Sequence, residues 1–379
     1  MPVPDIHCLM LGLGGPTFIT DWAKAVGRFA TVTGLLVVPL LPSHARRHSR
    51  SIAVGDVEGV ATVYVRHRRV RPARLFWRWN ARRRGLAMQR AVAAMEWTPD
   101  IIHAHFFAEA SPAAELATLL DIPLVLTEHA SALAAPDPEN HLSRQGIAMM
   151  RSVYRAAATV FFVGSEQLSS ARRLGATGNF HVLPNPVETS LFVPKSHAAE
   201  TRRLVTVGHL LPRKRHDLLL LAFEQVLARF PDAVLEIIGG GETREPLERL
   251  TEELGVQDSV TFHGNASREF IAATLRDATL YVHTSERESF GVVIVEALLS
   301  GTPVIAVRCG GVSECLVEHV GLAVDDSDPV SIAGAIIEGL GSHRFAPPVE
   351  ISRWATERYG SDAVAATLQV HYTKILQAQ

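Results

Sequence analysis

Short apolar runs alternate with longer amphipathic stretches along the first half of the chain. The runs that predict buried strands are Ile6–Leu11, Leu35–Leu41, Val60–Val65, Ile101–Ala104, Leu124–Thr127 and Val160–Val163. The stretches that predict helices are Asp21–Phe29, Leu75–Glu96, Ala113–Leu120 and Leu142–Ala157. Strands that alternate with helices usually pair into a parallel sheet that helices cover on both faces. This half therefore predicts a doubly wound α/β domain.

A proline-rich stretch, Leu183–Pro194, interrupts the alternation and predicts an interdomain linker. The strands predicted after it are Leu204–Val207, Val234–Ile238, Val260–His263, Leu280–Val282 and Val304–Val307. The predicted helices are Asp217–Phe230, Glu245–Leu254, Arg268–Asp277, Gly291–Leu299, Val330–Leu340 and, after a loop rich in proline, Ala363–Leu376. The second half is thus a second doubly wound domain. Because open α/β sheets bind ligands beyond the carboxyl ends of their strands, we expect a cleft between the domains.

The composition narrows the class of protein. A chain of 379 residues, 47% of them hydrophobic, suits two globular domains. No apolar run approaches the roughly 18 residues of a membrane-spanning helix, and no secretory signal is expected because a basic N-terminal region is missing. The three cysteines, Cys8, Cys309 and Cys315, are too scattered for a disulfide framework or a zinc site, so we expect a cytoplasmic protein.

Charge is unevenly distributed along the chain. Residues 1–190 hold 20 Lys/Arg against 14 Asp/Glu, whereas the remainder holds 17 against 25. The basic half includes residues 66–90, where ten arginines accompany Phe76, Trp77 and Trp79. Basic and aromatic residues on one helix suit an anionic membrane surface, and we favour this interpretation slightly over a solvated helix whose aromatic residues pack inward. Binding to nucleic acid is the third and least favoured interpretation of residues 66–90.

Two glutamates bracket a turn at the start of a predicted helix. Glu288 precedes Ser289, Phe290 and Gly291, and Glu296 lies within the helix. A helix N-terminus offers N–H groups to a phosphate, and carboxylates beside it suit hydroxyl groups such as those of a ribose and a sugar. By spacing alone, an exposed glutamate and a glutamate that complements the helix dipole are equally good interpretations.

A basic loop follows the first strand of the second domain. After Gly208 the chain carries Arg213, Lys214 and Arg215 just before a helix. A lysine at this position can reach a diphosphate as a point charge. Taken alone, a solvated loop is the better interpretation, because runs of charge are usually exposed.

The first half offers weaker signals for a site. The turn at 12–16 permits close approach to a ligand but lacks the spacing of a dinucleotide-binding or P-loop motif. His103, His105 and His129 lie at the ends of predicted strands, and His129 should point into the cleft. A lone histidine at a strand end is more often structural. No pair has metal-ligand spacing with a third partner, so no metal is expected.

Together these stretches resemble the family-4 retaining glycosyltransferases with the GT-B fold. The resemblance rests on an E-x7-E motif at Glu288–Glu296, a phosphate loop at Val207–Lys214, a linker at Pro184–Glu188, a turn at Gly310–Glu314 and a strand end at Thr127–His129. It spans nearly the whole chain and is most specific in the second half.

The resemblance implies two Rossmann-like domains that face each other across a cleft. Residues 1–186 and 363–379 would form the acceptor-side domain and residues 187–362 the donor domain, with the C-terminal helix crossing back to the first domain. It implies no cofactor and no metal, because a helix dipole and basic side chains take the place of the metal.

The resemblance also assigns roles in the donor domain. Glu296 would hold the ribose hydroxyls and Glu288 the hydroxyls of the donor sugar. Lys214 would face the diphosphate together with the amides at the start of the helix, those of Ser289, Phe290 and Gly291. The residue after the lysine, usually glycine in the family, is Arg215 here.

Further roles fall on the first domain and on one departure from the family pattern. Gly14 and Gly15 would approach the phosphates, and His129 would lie by the sugar near the reacting centre as a third catalytic residue beside Glu288 and Lys214. His209 stands where the family usually has arginine in the diphosphate clamp, and Arg213 is the residue that would compensate.

The predicted function is retaining transfer of a sugar from a nucleotide-diphosphate sugar to a hydroxyl acceptor, an EC 2.4 activity, in cell-surface polysaccharide or glycolipid synthesis. The basic aromatic segment suits a lipid-linked acceptor and a peripheral position on the inner face of the membrane. One alternative is a sugar-nucleotide epimerase or glycogen-type synthase on the same fold, which product stereochemistry and acceptor dependence would distinguish. Another is a non-catalytic nucleotide-sugar or nucleic-acid binding protein, against which Glu288, Glu296 and Lys214 argue.

Overall fold

The computed structural model describes residues 6–12, 18–40, 52–68, 77–135, 137–196, 201–341 and 344–379. The chain divides into two compact units, which we call unit 1 (Met1–Pro186 with Ser361–Gln379) and unit 2 (Val187–Gly360). Within the described residues, no helix combines the length and the apolar character that crossing a membrane requires.

Unit 1 is built on one twisted sheet. Its strands are β1 (His7–Leu11), β2 (Thr31–Leu40), β3 (Ile52–Val57), β4 (Val60–Arg68), β5 (Ile101–His105), β6 (Leu124–Glu128), β7 (Thr159–Phe162) and β8 (Phe180–Val182). The eight strands lie in the order β3-β4-β2-β1-β5-β6-β7-β8 and are parallel except that β3 runs antiparallel to β4. Its helices are α1 (Phe18–Val26), α2 (Trp77–Ala93), α3 (Phe107–Leu120), α4 (Pro138–His141), α5 (Arg144–Ala156), α6 (Ser165–Arg173) and α13 (Ser361–Gln377).

Unit 2 repeats the arrangement with a smaller sheet. Its strands are β9 (Arg203–Val207), β10 (Val234–Ile238), β11 (Val260–Gly264), β12 (Leu280–His283), β13 (Val304–Val307) and β14 (Gly321–Val324). They form a parallel six-stranded sheet in the order β11-β10-β9-β12-β13-β14. The helices are α7 (His216–Arg229), α8 (Arg244–Glu253), α9 (Arg268–Asp277), α10 (Val292–Leu299), α11 (Pro329–Gly341) and α12 (Pro348–Tyr359).

The predicted doubly wound class is confirmed for both units, because apolar runs form the buried centres of the sheets. Leu9 and Ile102 in unit 1, and Leu204 and Ile305 in unit 2, are inaccessible to solvent. Strands covered on both faces lack polar alternation, which is why continuous apolar runs predicted them. In each sheet the strand order reverses beside the first strand, between β1 and β5 and between β9 and β12. Ligands of such sheets bind at these switch points.

Several elements differ from the prediction. The pattern did not predict β3, β8, β14, α4, α6 or α12. The proline-rich loop expected after residue 340 is wrong from Pro348 onwards, where α12 begins. A proline in the first helical turn lacks only an N–H that would have no partner, so it starts this helix instead of preventing it. Helix α3 begins at Phe107 and not at 113, because the buried Glu128 carboxylate accepts the Phe107 N–H at 3.1 Å.

The C-terminal helix packs on unit 1, as predicted. Its buried side chains include Val364, Leu368 and Tyr372. The Tyr372 hydroxyl lies 2.7 Å from His103 Nδ1 on β5, and the other ring nitrogen of His103 lies 2.7 Å from Thr127 Oγ1 on β6. This buried polar chain ties α13 to the middle of the sheet.

Replacing Tyr372→Phe should lower the free energy of unfolding by about 1–3 kcal/mol, because it leaves a buried imidazole nitrogen without its partner. Urea denaturation measures the effect. Val370→Ala on the same helix is the control, since Val370 is 53% exposed and its loss should change stability by less than about 0.5 kcal/mol. Equal stability of Tyr372→Phe and wild type would show that the hydrogen bond does not hold α13.

Candidate functional site

The switch point of unit 2 carries a turn that leads into a short helix. Strand β12 ends at His283, and α10 begins at Val292 after Gly291 as its N-cap. Gly291 has φ 86°, in the left-handed region, and a Cβ there would lie 2.9 Å from Ile294 Cδ1. Only glycine therefore adopts this turn without strain. The first N–H groups of α10 have no partners within the helix, and they give this end a partial positive charge.

A second glycine supports the turn from behind. The Gly311 N–H donates to the Glu288 carbonyl at 3.1 Å. A Cβ at Gly311 would lie 2.5 Å from the Ser289 carbonyl oxygen and 3.0 Å from Phe290 Cα, so no larger residue fits while the turn stays in place. Ser289 and Phe290 are themselves buried. The three predicted phosphate-facing residues, Ser289 to Gly291, are thus held in one conformation.

Two predicted catalytic residues form an ion pair next to this turn. Lys214 Nζ lies 2.5 Å from Glu288 Oε2, and both side chains are largely shielded from solvent. Burial alone would raise the pKa of Glu288, but the Lys214 ammonium opposes it and holds the pKa below its usual value. Glu288 is therefore a carboxylate, able to accept hydrogen bonds, at neutral pH.

Hydrogen bonds join the loops that carry the pair. The Glu286 N–H donates to the Arg213 carbonyl at 2.9 Å, and the Thr284 hydroxyl donates to the Lys214 carbonyl at 3.0 Å. Arg215 has φ 51° where the family usually has glycine. Its guanidinium compensates by donating to Asp217 and to Glu286, at 3.1 Å each. Folding thus brings Lys214 and Glu288, which are 74 positions apart in the sequence, into contact.

The other residues predicted to bind the donor differ from one another in burial and in their surroundings. Glu296 lies on α10 and is 8% exposed, with Arg268 Nη2 3.6 Å from its Oε1. Arg268 is a neighbour that sequence reasoning missed, because it lies on α9. His209 is exposed. Arg213 lines a cavity of about 910 Å³ with His216 and residues of α8, and its charge helps to lower the pKa of Glu288.

Unit 1 places three histidines together: His103 in the middle of β5, His105 at its carboxyl end, and His129 directly after β6. The rings of His103 and His105 stack with centroids 4.8 Å apart, and those of His105 and His129 with centroids 5.1 Å apart. His105 Nδ1 lies 2.9 Å from His129 Nε2. The Trp22 ring meets all three edges-on, and its Nε1–H donates to Asn185 at 2.8 Å. The predicted catalytic histidine is therefore one of a packed cluster.

Burial makes these imidazoles neutral. It lowers the pKa of His103 and of His129 to about 3, and it lowers that of His105 as well. His105 is the residue that sequence reasoning undervalued, since its pairing with His129 appears only when β5 and β6 lie side by side. Gly14 and Gly15 lie outside the described residues. The described residues contain no group of three side chains that could hold a metal ion.

Comparison with known proteins assigns the family. Residues 189–344 match the model "Glycosyl transferases group 1", and residues 37–191 match "Glycosyltransferase Family 4". A Mycobacterium tuberculosis protein, GDP-mannose-dependent alpha-(1-6)-phosphatidylinositol monomannoside mannosyltransferase, is 30% identical over 289 residues, which cover 69% of this chain and 74% of that protein. The chain belongs to the family-4 glycosyltransferases.

Other similar proteins lie in the same family or share its fold. A D-inositol 3-phosphate glycosyltransferase from Xylanimonas cellulosilytica is 29% identical over 303 residues, which cover 71% of this chain and 70% of that protein. Among solved structures, sucrose-phosphate synthase from Thermosynechococcus elongatus has a TM-score of 0.78 at 18% identity, covering 99% of this chain and 100% of the other. Anabaena HepE with UDP and glucose has a TM-score of 0.75 at 18% identity, covering 97% and 100%.

Gly311→Ala should remove most nucleotide-sugar turnover by this family-4 glycosyltransferase, because the added methyl group displaces the Ser289–Phe290 backbone. Turnover and donor KM measure the effect. Gly334→Ala is the control, since a Cβ at Gly334 on α11 meets nothing within 4 Å. Wild-type kinetics in Gly311→Ala would refute the importance of this turn.

Proposed function

We propose that this glycosyltransferase retains the anomeric configuration of its donor and holds the nucleotide-diphosphate sugar in unit 2. One observation carries the proposal: the Lys214–Glu288 ion pair lies beside the left-handed turn that opens α10, with Glu296 further along the same helix. A cation and a helix N-terminus suit a diphosphate, and two carboxylates suit sugar and ribose hydroxyls.

The reaction follows from this charge distribution. The acceptor hydroxyl oxygen forms a bond to the anomeric carbon as the bond from that carbon to the diphosphate oxygen breaks. The hydroxyl proton passes to an oxygen of the departing diphosphate on the same face. Lys214, Arg213 and the amides of residues 289–291 stabilise the negative charge that develops there. We propose that these groups serve in place of a metal ion, and that His129 acts near the reacting sugar from unit 1.

Glu288→Ala and Lys214→Ala should each lower kcat/KM by at least about tenfold, since each removes a charged contact worth roughly 1.5–3 kcal/mol. The assay is sugar transfer with the UDP-, GDP- or ADP-sugar that most raises the thermal midpoint of the wild type, because a bound ligand stabilises the folded state. Glu224→Ala on α7 and Lys374→Ala on α13, both at exposed positions, are charge-matched controls. Full activity in both site variants would refute the proposal, and product stereochemistry tests retention.

The acceptor class is suggested by two observations. The relatives named above act on an inositol phosphate or on a phosphatidylinositol mannoside. Residues 1–190 of this chain carry the excess of Lys/Arg over Asp/Glu. We therefore propose a phosphate-bearing, lipid-linked hydroxyl acceptor that unit 1 selects at an anionic membrane surface.

Helix α2 supplies a surface of the right composition. Trp79 and Leu86 are 47% and 43% exposed. Their spacing places them on one side of the helix with Arg83 and Arg90. The Arg83 guanidinium lies 3.9 Å from the centroid of the Trp79 ring. Arg84, in contrast, is paired with Glu109 and is less available to lipid.

Replacing Arg82, Arg83 and Arg90 by glutamine should weaken sedimentation with phosphatidylserine-containing vesicles, because each basic residue near such a surface contributes about 1 kcal/mol. Replacing Arg155 on α5 together with Arg172 and Arg173 on α6, all exposed, is the control for net charge. Neutral phosphatidylcholine vesicles provide the second comparison. Unchanged binding of the α2 variant to anionic vesicles would show that α2 is not the membrane-binding surface.

A further inference from the structure

The last residue of β12 is a buried histidine that no motif singled out. His283 is 5% exposed, and its Nε2 has no hydrogen-bond partner within the described part of the chain. Glu288 Oε2 lies 3.7 Å from this nitrogen, too far for a direct hydrogen bond. A buried polar atom without a partner costs free energy. Its position at the switch point therefore indicates a ligand group as the missing partner.

The ring is fixed with this nitrogen directed to Glu288. The Tyr281 hydroxyl lies 3.3 Å from His283 Nδ1 and 3.3 Å from the Val207 carbonyl oxygen. The Tyr281 and His283 rings also stack, with centroids 6.2 Å apart. Tyr281 therefore fixes the imidazole through Nδ1 and through one ring face, and Nε2 is the ring nitrogen available to bind a ligand.

The imidazole is also neutral. Burial, together with the nearby Lys214 charge, lowers the pKa of His283 to about 3. The ring therefore contributes directional hydrogen bonding and no charge. The cation of this site is Lys214, which in this structure lies 2.5 Å from the same oxygen of Glu288.

We propose that His283 is a sugar-recognition residue: one hydroxyl of the donor sugar bonds both His283 Nε2 and the Glu288 carboxylate. The inference rests on the proposed function and adds a contact to it. The Tyr281 hydroxyl donates to Nδ1 in the tautomer that this contact requires, so the neutral ring carries its hydrogen on Nε2, on the side of the Glu288 charge. A sugar hydroxyl fits because it accepts the Nε2 hydrogen and donates its own hydrogen to Glu288. A phosphate oxygen fits less well, since it only accepts and would lie against the carboxylate charge.

Different groups of the site bind the diphosphate and the sugar of the donor. The diphosphate pairs with the Lys214 ammonium, and Glu288 Oε2 is then available to accept a hydrogen bond from the sugar. The hydroxyl then replaces Lys214 as the partner of Glu288 and satisfies the buried Nε2. A donor whose sugar lacks this hydroxyl leaves both protein groups unpaired, so the pair discriminates between sugars.

The test compares nucleotide-sugar binding with binding of the nucleoside diphosphate alone. UDP-glucose with UDP, and GDP-mannose with GDP, are measured by calorimetry on the full chain. His283→Leu should weaken nucleotide-sugar binding by roughly three- to tenfold and leave the nucleoside diphosphate unchanged. His283→Gln, whose amide nitrogen can replace Nε2 as a donor, should restore much of the loss. Equal losses for both ligands would assign His283 to the diphosphate or to structure and overturn the proposal.

A matched control and an independent readout keep the result interpretable. His216 is also buried and starts α7, two residues after Lys214. In the part of the chain that the structure describes, its Nδ1 has no hydrogen-bond partner, and His216→Leu should affect both ligands alike. A selective loss of sugar binding in that control would contradict the assignment. Donor analogues that each lack one sugar hydroxyl complete a double-mutant cycle. The analogue that lacks the recognised hydroxyl should bind the wild type more weakly than the parent nucleotide sugar does. The His283→Leu variant should bind that analogue and the parent equally well. Failure of the wild type to bind any UDP-, GDP- or ADP-sugar would overturn the proposed function itself.

Discussion

The candidate site depends on a charge pair that is largely removed from water. Lys214 and Glu288 each lose solvation when they are buried, and their mutual attraction together with the surrounding hydrogen bonds offsets that loss. The pair also requires two loops to stay in register. Backbone and side-chain hydrogen bonds between residues 213–214 and 284–286 provide that register. The fold consequently fixes a carboxylate and a cation side by side next to the turn that opens α10.

Backbone shape constrains the site as strongly as charge does. Gly291 supplies a left-handed turn, and Gly311 allows another segment to approach that turn at a distance no Cβ permits. These two glycines set the position of the first N–H groups of α10. Arg215 shows the opposite solution, because a residue with a Cβ takes a left-handed conformation and its ion pairs with Asp217 and Glu286 compensate for the strain.

The two units use the same chemical device at equivalent places. Each has neutral, buried imidazoles at the carboxyl ends of strands near its switch point: His105 and His129 in unit 1, and His283 in unit 2. Burial keeps their pKa values low, so they are hydrogen-bonding groups of fixed orientation. Permanent charge is left to Lys214 and to the glutamates. Neutral groups of this kind can recognise hydroxyls without competing for the diphosphate.

The sequence by itself determined the fold class, because strands buried on both faces must be continuous apolar runs. It also determined the E-x7-E turn, whose parts lie within one short segment from Glu288 to Glu296. Tertiary structure alone decided that Lys214 meets Glu288, that His105 pairs with His129, and that His283 faces Glu288. These contacts join separate strands and loops, and the period of a single element carries no information about which elements become neighbours. The proline-rich start of α12 and the early start of α3 were likewise decided by partners distant in sequence or by position within the helix.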